Sequence, residues 1–421
     1  MRHAELLTPF RESPGVILMV LEPLGRDDTS TIPVSREFRC QHICGGWQPG
    51  AAARWLWETR IARVLCGYCV RNQRPDWAIC PTSLARSVGL TQPRILVTGG
   101  AGFVGINLCR FLLVRGYSVR SLDVAPFEHA ERNTVDVVRG DVRDAGAVAE
   151  AMRGVSAVIH AAAASPSSTS AEVFSTDVGG TSTLLQSAIR NRVPRFVLLS
   201  SSAVYGVQAH RLMHEGDPLH GTGAHAEAKI EAEHLCTGAR LSGLSFSILR
   251  LTAMTGAGQG GVLAKLCEHA FGGRGFLTLG SGRKPYQILD VEDACEAIYR
   301  CLVMRADLVN DTFNLGARTF NSIRESFQAV LDRAGYGEQV IAIPRAPTLA
   351  ALTLLERLSR SSRYSWIHGT AGQDSYVSVR HIGSRLRFQP RYCGTSALLR
   401  EYERYVRSRG YLTTTMCAVT Q

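Results

Sequence analysis

Three glycines and a distant carboxylate are the residues whose types and spacing first suggest chemistry. Gly99, Gly102 and Gly105 follow the apolar run 95–97, which is typical of a buried parallel strand. In a dinucleotide site the first glycine permits a tight turn, the second lets backbone amides approach a pyrophosphate, and the third lets the next helix pack closely on the sheet. Asp123 ends the following predicted strand, where a carboxylate suits a ribose 2′-hydroxyl and repels a 2′-phosphate. The pattern therefore predicts an NAD site.

A second group of side chains capable of chemistry lies further along the chain. His225 and Lys229 are one helical turn apart, on one face of a predicted helix over residues 224–235. An imidazole has an ordinary pKa of about 6.5, so it can act as a general base near neutral pH. Three hydroxyls at residues 200–202 end another predicted strand. His160 lies in a buried apolar strand, where a histidine is more often a satisfied core residue than a catalyst.

The elements that must position these residues alternate between strand and helix from residue 94 onward. This order favours an α/β fold with a Rossmann-type, doubly wound parallel sheet. Ligands of such sheets bind at the carboxyl ends of the strands, which is where the residues above are placed. We expect one NAD-binding domain over residues 93–412, with the Rossmann part over about 93–250 and a smaller C-terminal α/β substrate lobe over about 251–412.

A third predicted strand ends near Asp141, and the acids around it have two alternative roles. Asp141 could accept a hydrogen bond from an adenine amino group, whereas Asp144 could cap the helix that begins at Ala145. The small residues at 161–164 end the next predicted strand, where they would let a flat cofactor lie close to the backbone.

Residues 1–92 do not share this pattern, because no sustained helical or strand period is present. The side chains there that could form a zinc site are Cys40, His42, Cys44, Cys66, Cys69 and Cys80. The turn between Cys40 and Cys44 lacks the glycine that zinc knuckles usually need, so we expect no metal. We interpret this part as a poorly patterned extension that is either disordered or upstream of the true start.

The composition excludes several classes of partner. The formal net charge is +11, but the basic residues are scattered and no run of five occurs, which argues against nucleic acid. The arginine-dense region 380–409 is expected to be a solvated helix face. No apolar segment reaches the roughly 18 residues that span a bilayer, and the run 16–21 is too short for a secretory signal. We therefore expect a cytoplasmic protein with mostly reduced cysteines.

Several motifs together carry a family resemblance, and they stand at 98–105, Asp123, 140–142, 160–162, 200–206, 229–233, 290–293 and 313–316. On these motifs the region from about 94 to 409 resembles the extended short-chain dehydrogenase/reductases, the NAD-dependent nucleotide-sugar epimerases and dehydratases. The resemblance implies NAD as cofactor, a nucleotide sugar as small-molecule substrate, and a homodimer formed through the predicted helices over 172–192 and 224–240.

The resemblance also implies residue roles. The residues that it assigns to the cofactor are Gly99, Gly102, Phe103, Val104 and Gly105 at the pyrophosphate, Asp123 at the adenosine ribose, Asp141 and Val142 at the adenine, Ala161 and Ala162 at the nicotinamide half, and Lys229 at the nicotinamide ribose. Ser201 matches the hydroxyl that hydrogen-bonds the reacting sugar oxygen. Ser202 is a candidate substrate contact. Arg283 and Lys284 are candidates as well, because Tyr286 stands where an arginine often binds the substrate phosphate.

The active helix departs from the family pattern. The family reads Tyr-x3-Lys there, whereas this chain reads His225-x3-Lys229, and position 177, usually asparagine, is Asp177. The tyrosine works as a phenolate and needs a cation to lower its pKa from about 10, whereas an imidazole needs no such help. Imidazole also reaches less far, and a misplacement of about 1 Å can cost about 100-fold in rate. Two alternatives follow: His225 acts as the general base, or the redox activity is weak or lost.

Three functions are compatible with these residues. The first is an NAD-dependent epimerase or dehydratase acting on a nucleotide-linked sugar, in which Ser201, His225 and Lys229 carry the catalysis. The second is a non-catalytic NAD-binding partner or sensor, which the replacement of the tyrosine favours. The third is a sterol- or lipid-type alcohol dehydrogenase, because the absence of the phosphate-binding arginine fits an uncharged substrate.

Overall fold

The computed structural model describes residues 92–165, 168–206, 212–344, 347–348 and 376–411. All of them belong to one compact unit, Trp57–Gln421. The alternative zinc site within residues 1–92 lies outside the described residues. The boundary between the extension and the NAD-binding domain therefore stays a prediction.

In chain order the strands are β1 (Arg94–Thr98), β2 (Ser118–Asp123), β3 (Asp136–Arg139), β4 (Val155–His160), β5 (Arg195–Ser201), β6 (Ser245–Leu251), β7 (Ala253–Thr255), β8 (Phe276–Leu279), β9 (Ile288–Asp290), β10 (Thr312–Leu315) and β11 (Val340–Ile343). Seven of them form one sheet in the order β10-β6-β5-β4-β1-β2-β3, and every pairing in it is parallel. The chain order reverses beside β1, where it crosses from β3 to β4, and this leaves a crevice at the carboxyl ends of the strands.

The helices are α1 (Phe103–Val114), α2 (Ala145–Ala151), α3 (Ser170–Phe174), α4 (Gly180–Arg190), α5 (Ala224–Gly238), α6 (Gly261–Phe271), α7 (Val291–Val303), α8 (Ala306–Val309), α9 (Ile323–Ala334), α10 (Arg380–Leu386) and α11 (Gly394–Ser408). A π-helical turn, Ser175–Gly179, joins α3 to α4, and a 3-10 turn, Ser202–Tyr205, follows β5. The single long helix that we expected over 172–192 is present as a continuous helical segment over 170–190 that contains this π-helical turn. No helix in the described ranges is both long and apolar enough to traverse a lipid bilayer.

Both faces of the main sheet are covered, because side chains of one strand alternate between two cores. Ile95 and Val97 of β1 lie in the core that contains α1 and α7, whereas Leu96 lies in the core that contains α2, α4 and α5. All three side chains are fully buried. The predicted doubly wound sheet is therefore confirmed, and its strand ends are fixed rigidly on both sides.

The smaller lobe has its own core, formed by α6, α9 and α11 with β8, β9 and β11. The arginine-dense region 380–409 is only partly the solvated face that we expected, because Arg407 and Arg409 are exposed whereas Arg400 is paired. Arg400 contacts Asp290 at 2.5 Å and Glu292 at 2.9 Å, so that it ties α11 to the start of α7. The basic charge of this region is thus partly neutralised within the chain.

Candidate nucleotide-binding and active site

A cavity of about 460 Å³ opens at the carboxyl ends of β1, β2, β3 and β4. This volume lies within the ordinary range for small-molecule sites. The predicted cofactor residues that line the cavity are Gly99, Gly102, Asp123, Asp141, Val142, Ala161 and Ala162. Phe103, Val104 and Gly105 form the first turn of α1 beside it. The fold therefore brings together residues that are far apart in the sequence.

The glycine turn has no room for side chains at two positions. Gly99 adopts a φ of +67°, and a Cβ there would lie 2.8 Å from the backbone nitrogen of Ala162. A Cβ on Gly105 would lie 2.0 Å from the carbonyl oxygen of Gly99. The turn consequently exposes bare backbone at the N-terminus of α1, where unpaired N–H groups and the helix dipole favour an anion. This geometry fits the pyrophosphate of a dinucleotide.

Asp123 stands at the end of β2 and binds the glycine turn as well as facing the cavity. Its Oδ2 accepts a hydrogen bond from the backbone N–H of Ala101 at 3.0 Å, and its Oδ1 accepts one from Ala125 at 2.9 Å. A carboxylate has about four acceptor sites, so these bonds leave capacity for ribose hydroxyls. The sequence predicted the ribose role but not this bond between the turn and the strand.

Replacing Asp123 with asparagine is expected to weaken NAD binding by about 10-fold to 100-fold, because a hydrogen bond to a charged group contributes roughly 1.5–3 kcal/mol. The same change is expected to narrow the preference for NAD over NADP, since the carboxylate no longer repels a 2′-phosphate. Titration of both dinucleotides against the two proteins measures this. An unchanged ratio of the two affinities would remove Asp123 from the ribose site.

Asp141 is already bound within the chain. The Arg143 guanidinium holds its carboxylate at 2.5–3.0 Å and also donates to the Ser175 hydroxyl at 3.2 Å. The hydrogen bonds from Arg143 lower the pKa of Asp141. Asp144 accepts from the backbone N–H of Gly146 at 2.8 Å and caps α2. The capping role of Asp144 is confirmed, and Arg143 is a cavity residue that the sequence analysis missed.

Lys229 has a buried partner that the sequence did not reveal. Its Nζ lies 3.1 Å from Oδ2 of Asp177, and the two side chains are 7% and 0% exposed. The other carboxylate oxygen of Asp177 accepts from the backbone N–H of Ala164 at 2.8 Å. Asp177 lies in the π turn, a type of distortion that is frequent at functional sites. Since Ala164 lines the cavity, the Asp177–Lys229 pair adjoins it.

His225 occupies the first turn of α5 and is exposed. Desolvation by the surrounding protein atoms lowers the pKa of its imidazole, the Lys229 ammonium lowers it further, and the Asp177 carboxylate raises it. Its ring is therefore neutral at pH 7, which is the form that a general base requires. Ser201 ends β5, is half-buried, and accepts from the backbone N–H of Ala203 at 3.1 Å, whereas Ser202 is buried.

The interpretation of His160 as a core histidine is confirmed. Its Nδ1 lies 2.8 Å from the Thr98 hydroxyl and its Nε2 lies 3.0 Å from the Thr181 hydroxyl. Burial, followed by the Lys229 charge, lowers the pKa of His160 to about 3. The ring is thus neutral and satisfied, and its role is to hold the end of β4 against β1 and α4.

A buried polar network fixes the end of β5 and its hydroxyls. Arg250 contacts Glu233 at 2.7 Å and donates to the Tyr205 hydroxyl at 2.8 Å, which in turn donates to Asn314 at 2.7 Å. Ser200 donates to the same carboxylate. Burial raises the pKa of Tyr205. Tyr205 is therefore a structural tyrosine and cannot substitute for the one that is missing from α5.

Arg283 and Lys284 are exposed in the loop between β8 and β9, and neither belongs to the lining of the cavity described above. The loop backbone binds the start of α9, because Gly282 accepts from Arg324 at 2.9 Å. Tyr286 packs against the core of the smaller lobe, and burial raises the pKa of its phenol. Tyr286 is thus a packing residue, and the roles of Arg283 and Lys284 stay predictions.

Comparison with known proteins gives the family. A family model for the NAD dependent epimerase/dehydratase family matches residues 95–316, which is more than half of the chain. The chain belongs to this family. The resemblance drawn from the motifs is thereby confirmed, and the cofactor is NAD, for which the bare glycine turn and Asp123 fit. In the described ranges, no three His, Cys, Asp or Glu side chains converge in a way that could hold a metal ion.

Individual relatives differ in the reactions that their names state. A dTDP-glucose 4,6-dehydratase from Streptomyces niveus is 28% identical over 343 residues, which cover 76% of this chain and 94% of the relative. A 3 beta-hydroxysteroid dehydrogenase/Delta 5→4-isomerase from Mycobacterium tuberculosis is 33% identical over 232 residues, covering 52% of this chain and 61% of that relative. The solved structure of DesIV, a dTDP-glucose 4,6-dehydratase from Streptomyces venezuelae with NAD bound, has a TM-score of 0.62 at 25% identity and covers 75% of this chain and 98% of its own.

Proposed function

We propose that this chain is an NAD-dependent epimerase or dehydratase that acts on a nucleotide-linked sugar, with His225 as its general base. The observation that carries the proposal is a chain of contacts that leads from the cavity wall, through Asp177 and Lys229, to the helix of His225. Ala164 lines the cavity, its N–H is bound by Asp177, and Asp177 holds Lys229 one helical turn from His225. These contacts connect the cavity wall to the helix face that carries His225, which supports the proposal.

Each side chain has a definite task in this proposal. Bound NAD would supply reversible hydride transfer at a sugar carbon. His225 takes the proton of the hydroxyl on that carbon and gives it back when the carbonyl is reduced again. Ser201 hydrogen-bonds the reacting oxygen, and Lys229 holds the nicotinamide ribose. The match that covers 94% of a sugar dehydratase and 76% of this chain supports this substrate class. Arg283, Lys284 and Ser202 are the proposed substrate contacts.

Replacing His225 with alanine is expected to lower kcat/KM by between about 100-fold and 10,000-fold, which is the usual contribution of a general base. In the parent protein the acidic limb of the pH profile is expected below the ordinary imidazole value of about 6.5, because the pKa of His225 is lowered and activity is lost only when the ring becomes protonated. The matched control is His234→Ala, an exposed histidine of the same helix, which is expected to leave the rate unchanged. Equal rates for the parent and the His225→Ala variant would refute the assignment.

The substrate class is tested by rapid mixing of the purified chain with a panel of nucleotide sugars while NADH absorbance is followed. A transient rise with a sugar nucleotide supports the proposal. Bound NAD that is never reduced by any compound would instead favour the non-catalytic partner or sensor.

A second candidate is a sterol- or lipid-type alcohol dehydrogenase. It is favoured by Tyr286, a half-buried packing residue that stands where the family often has a basic phosphate contact, and by the 33% identity to a steroid dehydrogenase. That match covers 52% of this chain and 61% of the relative, whereas the dehydratase match covers 76% and 94%. The dehydratase match therefore supports its reaction class more strongly. A steroid alcohol in the same panel distinguishes the two, since only one class should reduce the cofactor.

Two further features complete the proposal. A homodimer through α4 and α5 is expected, and light scattering on the purified chain measures it. A cytoplasmic location is proposed as well. The cysteines of the described ranges are free thiols, which fits a reducing compartment.

A further inference from the structure

Asp177, Lys229 and His225 form an electrostatic unit at the reactive end of the site. The carboxylate of Asp177 is fully buried, it lies 3.1 Å from the ammonium of Lys229, and both charges act on the His225 ring. A buried ammonium requires a counter-charge, because removal of one partner from a buried ion pair leaves an uncompensated charge. A neutral imidazole on the same helix face cannot supply that charge.

The arithmetic of charge differs between a phenolate and an imidazole. A phenolate beside an ammonium gives a balanced pair, whereas a neutral imidazole beside the same ammonium leaves one positive charge. With NAD⁺ bound, the nicotinamide adds another positive charge to the same region. Asp177 adds one negative charge beside Lys229, so that the net charge of the region equals that of the phenolate arrangement.

We propose that Asp177 is a positioning residue that supplies the negative charge which a tyrosinate would otherwise supply, and that it thereby allows His225 to serve as the base. The role of His225 as a base rests on the proposed function. The effect of Asp177 on the charge around Lys229 and His225 does not depend on it. Asp177 acts through Lys229, and it also holds the cavity wall through Ala164.

Three other charged side chains on or near α5 have hydrogen-bond or ion-pair partners of their own. Glu172 of α3 accepts from Thr169, Glu227 accepts from the backbone of Gly223, and Glu233 is paired with Arg250. Arg190 ends α4, Arg195 begins β5, and Arg240 follows the C-terminal end of α5, whereas His225 lies in the first turn of that helix. His160 is neutral and Tyr205 is bound by Arg250 and Asn314. Among the described residues, Lys229 and Asp177 are the two charges that act on His225.

The first experiment measures the pKa of His225 by NMR in the full-length parent and in Asp177→Asn. Asparagine has nearly the same shape and can still accept from Ala164, so the loss is mainly one of charge. The pKa is expected to fall by about one unit, because a nearby negative charge that stabilises the imidazolium has been removed. If the variant does not fold, Lys229→Gln gives the reciprocal result, in which the pKa of His225 rises. An unmoved pKa in the variant that folds would overturn the inference.

The second experiment places a tyrosine in the helix and needs no substrate. In His225→Tyr the new phenol is expected to keep a pKa near 10, because Asp177 neutralises Lys229. In His225→Tyr/Asp177→Asn the pKa of that phenol is expected to be lower by about one unit or more, because Lys229 is then uncompensated. NMR of labelled tyrosine identifies the new signal by comparison with the parent. Equal values in the two variants would overturn the inference.

These readouts separate the inference from the proposed function. If both shifts occur but no sugar reduces the cofactor, the function fails while the charge exchange stands. If sugars do reduce the cofactor but neither pKa moves, the function stands and Asp177 is only structural. In an active protein, Asp177→Asn is also expected to shift the acidic limb of kcat/KM to lower pH by about one unit.

Discussion

Gly105→Ala is expected to weaken NAD binding by about 100-fold or more. The added Cβ would lie 2.0 Å from the carbonyl oxygen of Gly99 and 2.6 Å from the Cα of Gly100, and both are backbone atoms of the turn that faces the pyrophosphate. Neither atom can move as a flexible side chain can, so α1 must shift away from the sheet. A 100-fold loss corresponds to roughly 2.7 kcal/mol, which lies within the usual cost of overpacking.

The matched control for this change is Gly238→Ala at the end of α5. A Cβ there meets nothing within 4 Å, so the variant is expected to bind NAD as the parent does. Calorimetric titration measures both affinities, and thermal unfolding establishes that each variant is folded. An affinity of Gly105→Ala within about threefold of the parent would show that the turn does not hold the dinucleotide.

Glu233→Gln is expected to destabilise the fold by about 3–5 kcal/mol, because it leaves the Arg250 guanidinium buried without its counter-charge. The two side chains are 4% and 7% exposed and lie 2.7 Å apart. The substitution is also expected to disturb the candidate active site, because the Glu233 carboxylate accepts a hydrogen bond from Ser200, and Ser200 precedes Ser201. The free energy of unfolding in urea is the quantity to measure.

Glu268→Gln provides the control for this second change. Glu268 pairs with Arg274 at 3.7 Å, and both side chains are more than half exposed. Exposed pairs contribute little, so this variant is expected to change the free energy of unfolding by no more than about 0.5 kcal/mol. A similar small change in Glu233→Gln would contradict a structural role for the buried network.

The cofactor half of the site was predictable because its signals are local. The apolar run of β1, the glycine spacing and the acid after β2 follow one another within one strand–helix–strand unit, where sequence pattern and fold are tightly linked. The N-cap by Asp144 was equally predictable, because an aspartate directly before a helix commonly caps its N-terminus. The bond between Arg143 and Asp141 is local too, but two residues of opposite charge in a loop carry no pattern that distinguishes pairing from solvation.

The reactive half depended on contacts between distant segments. Nothing in the residues around Asp177 indicates Lys229, because their proximity results from the packing of the π turn against α5. The role of Tyr205 was likewise hidden, since Arg250 and Asn314 come from β6 and β10. The sequence alone showed that His225 stands in place of the family's tyrosine. The structure added that the Asp177 carboxylate lies beside Lys229.

Calorimetric titration of the full-length chain with NAD⁺ and NADP⁺ decides whether the cavity at the strand ends is a dinucleotide site. We expect one NAD⁺ bound per chain, with much weaker binding of NADP⁺ because of Asp123. The absence of heat with NAD⁺ would contradict the cofactor assignment and, with it, the proposed sugar chemistry.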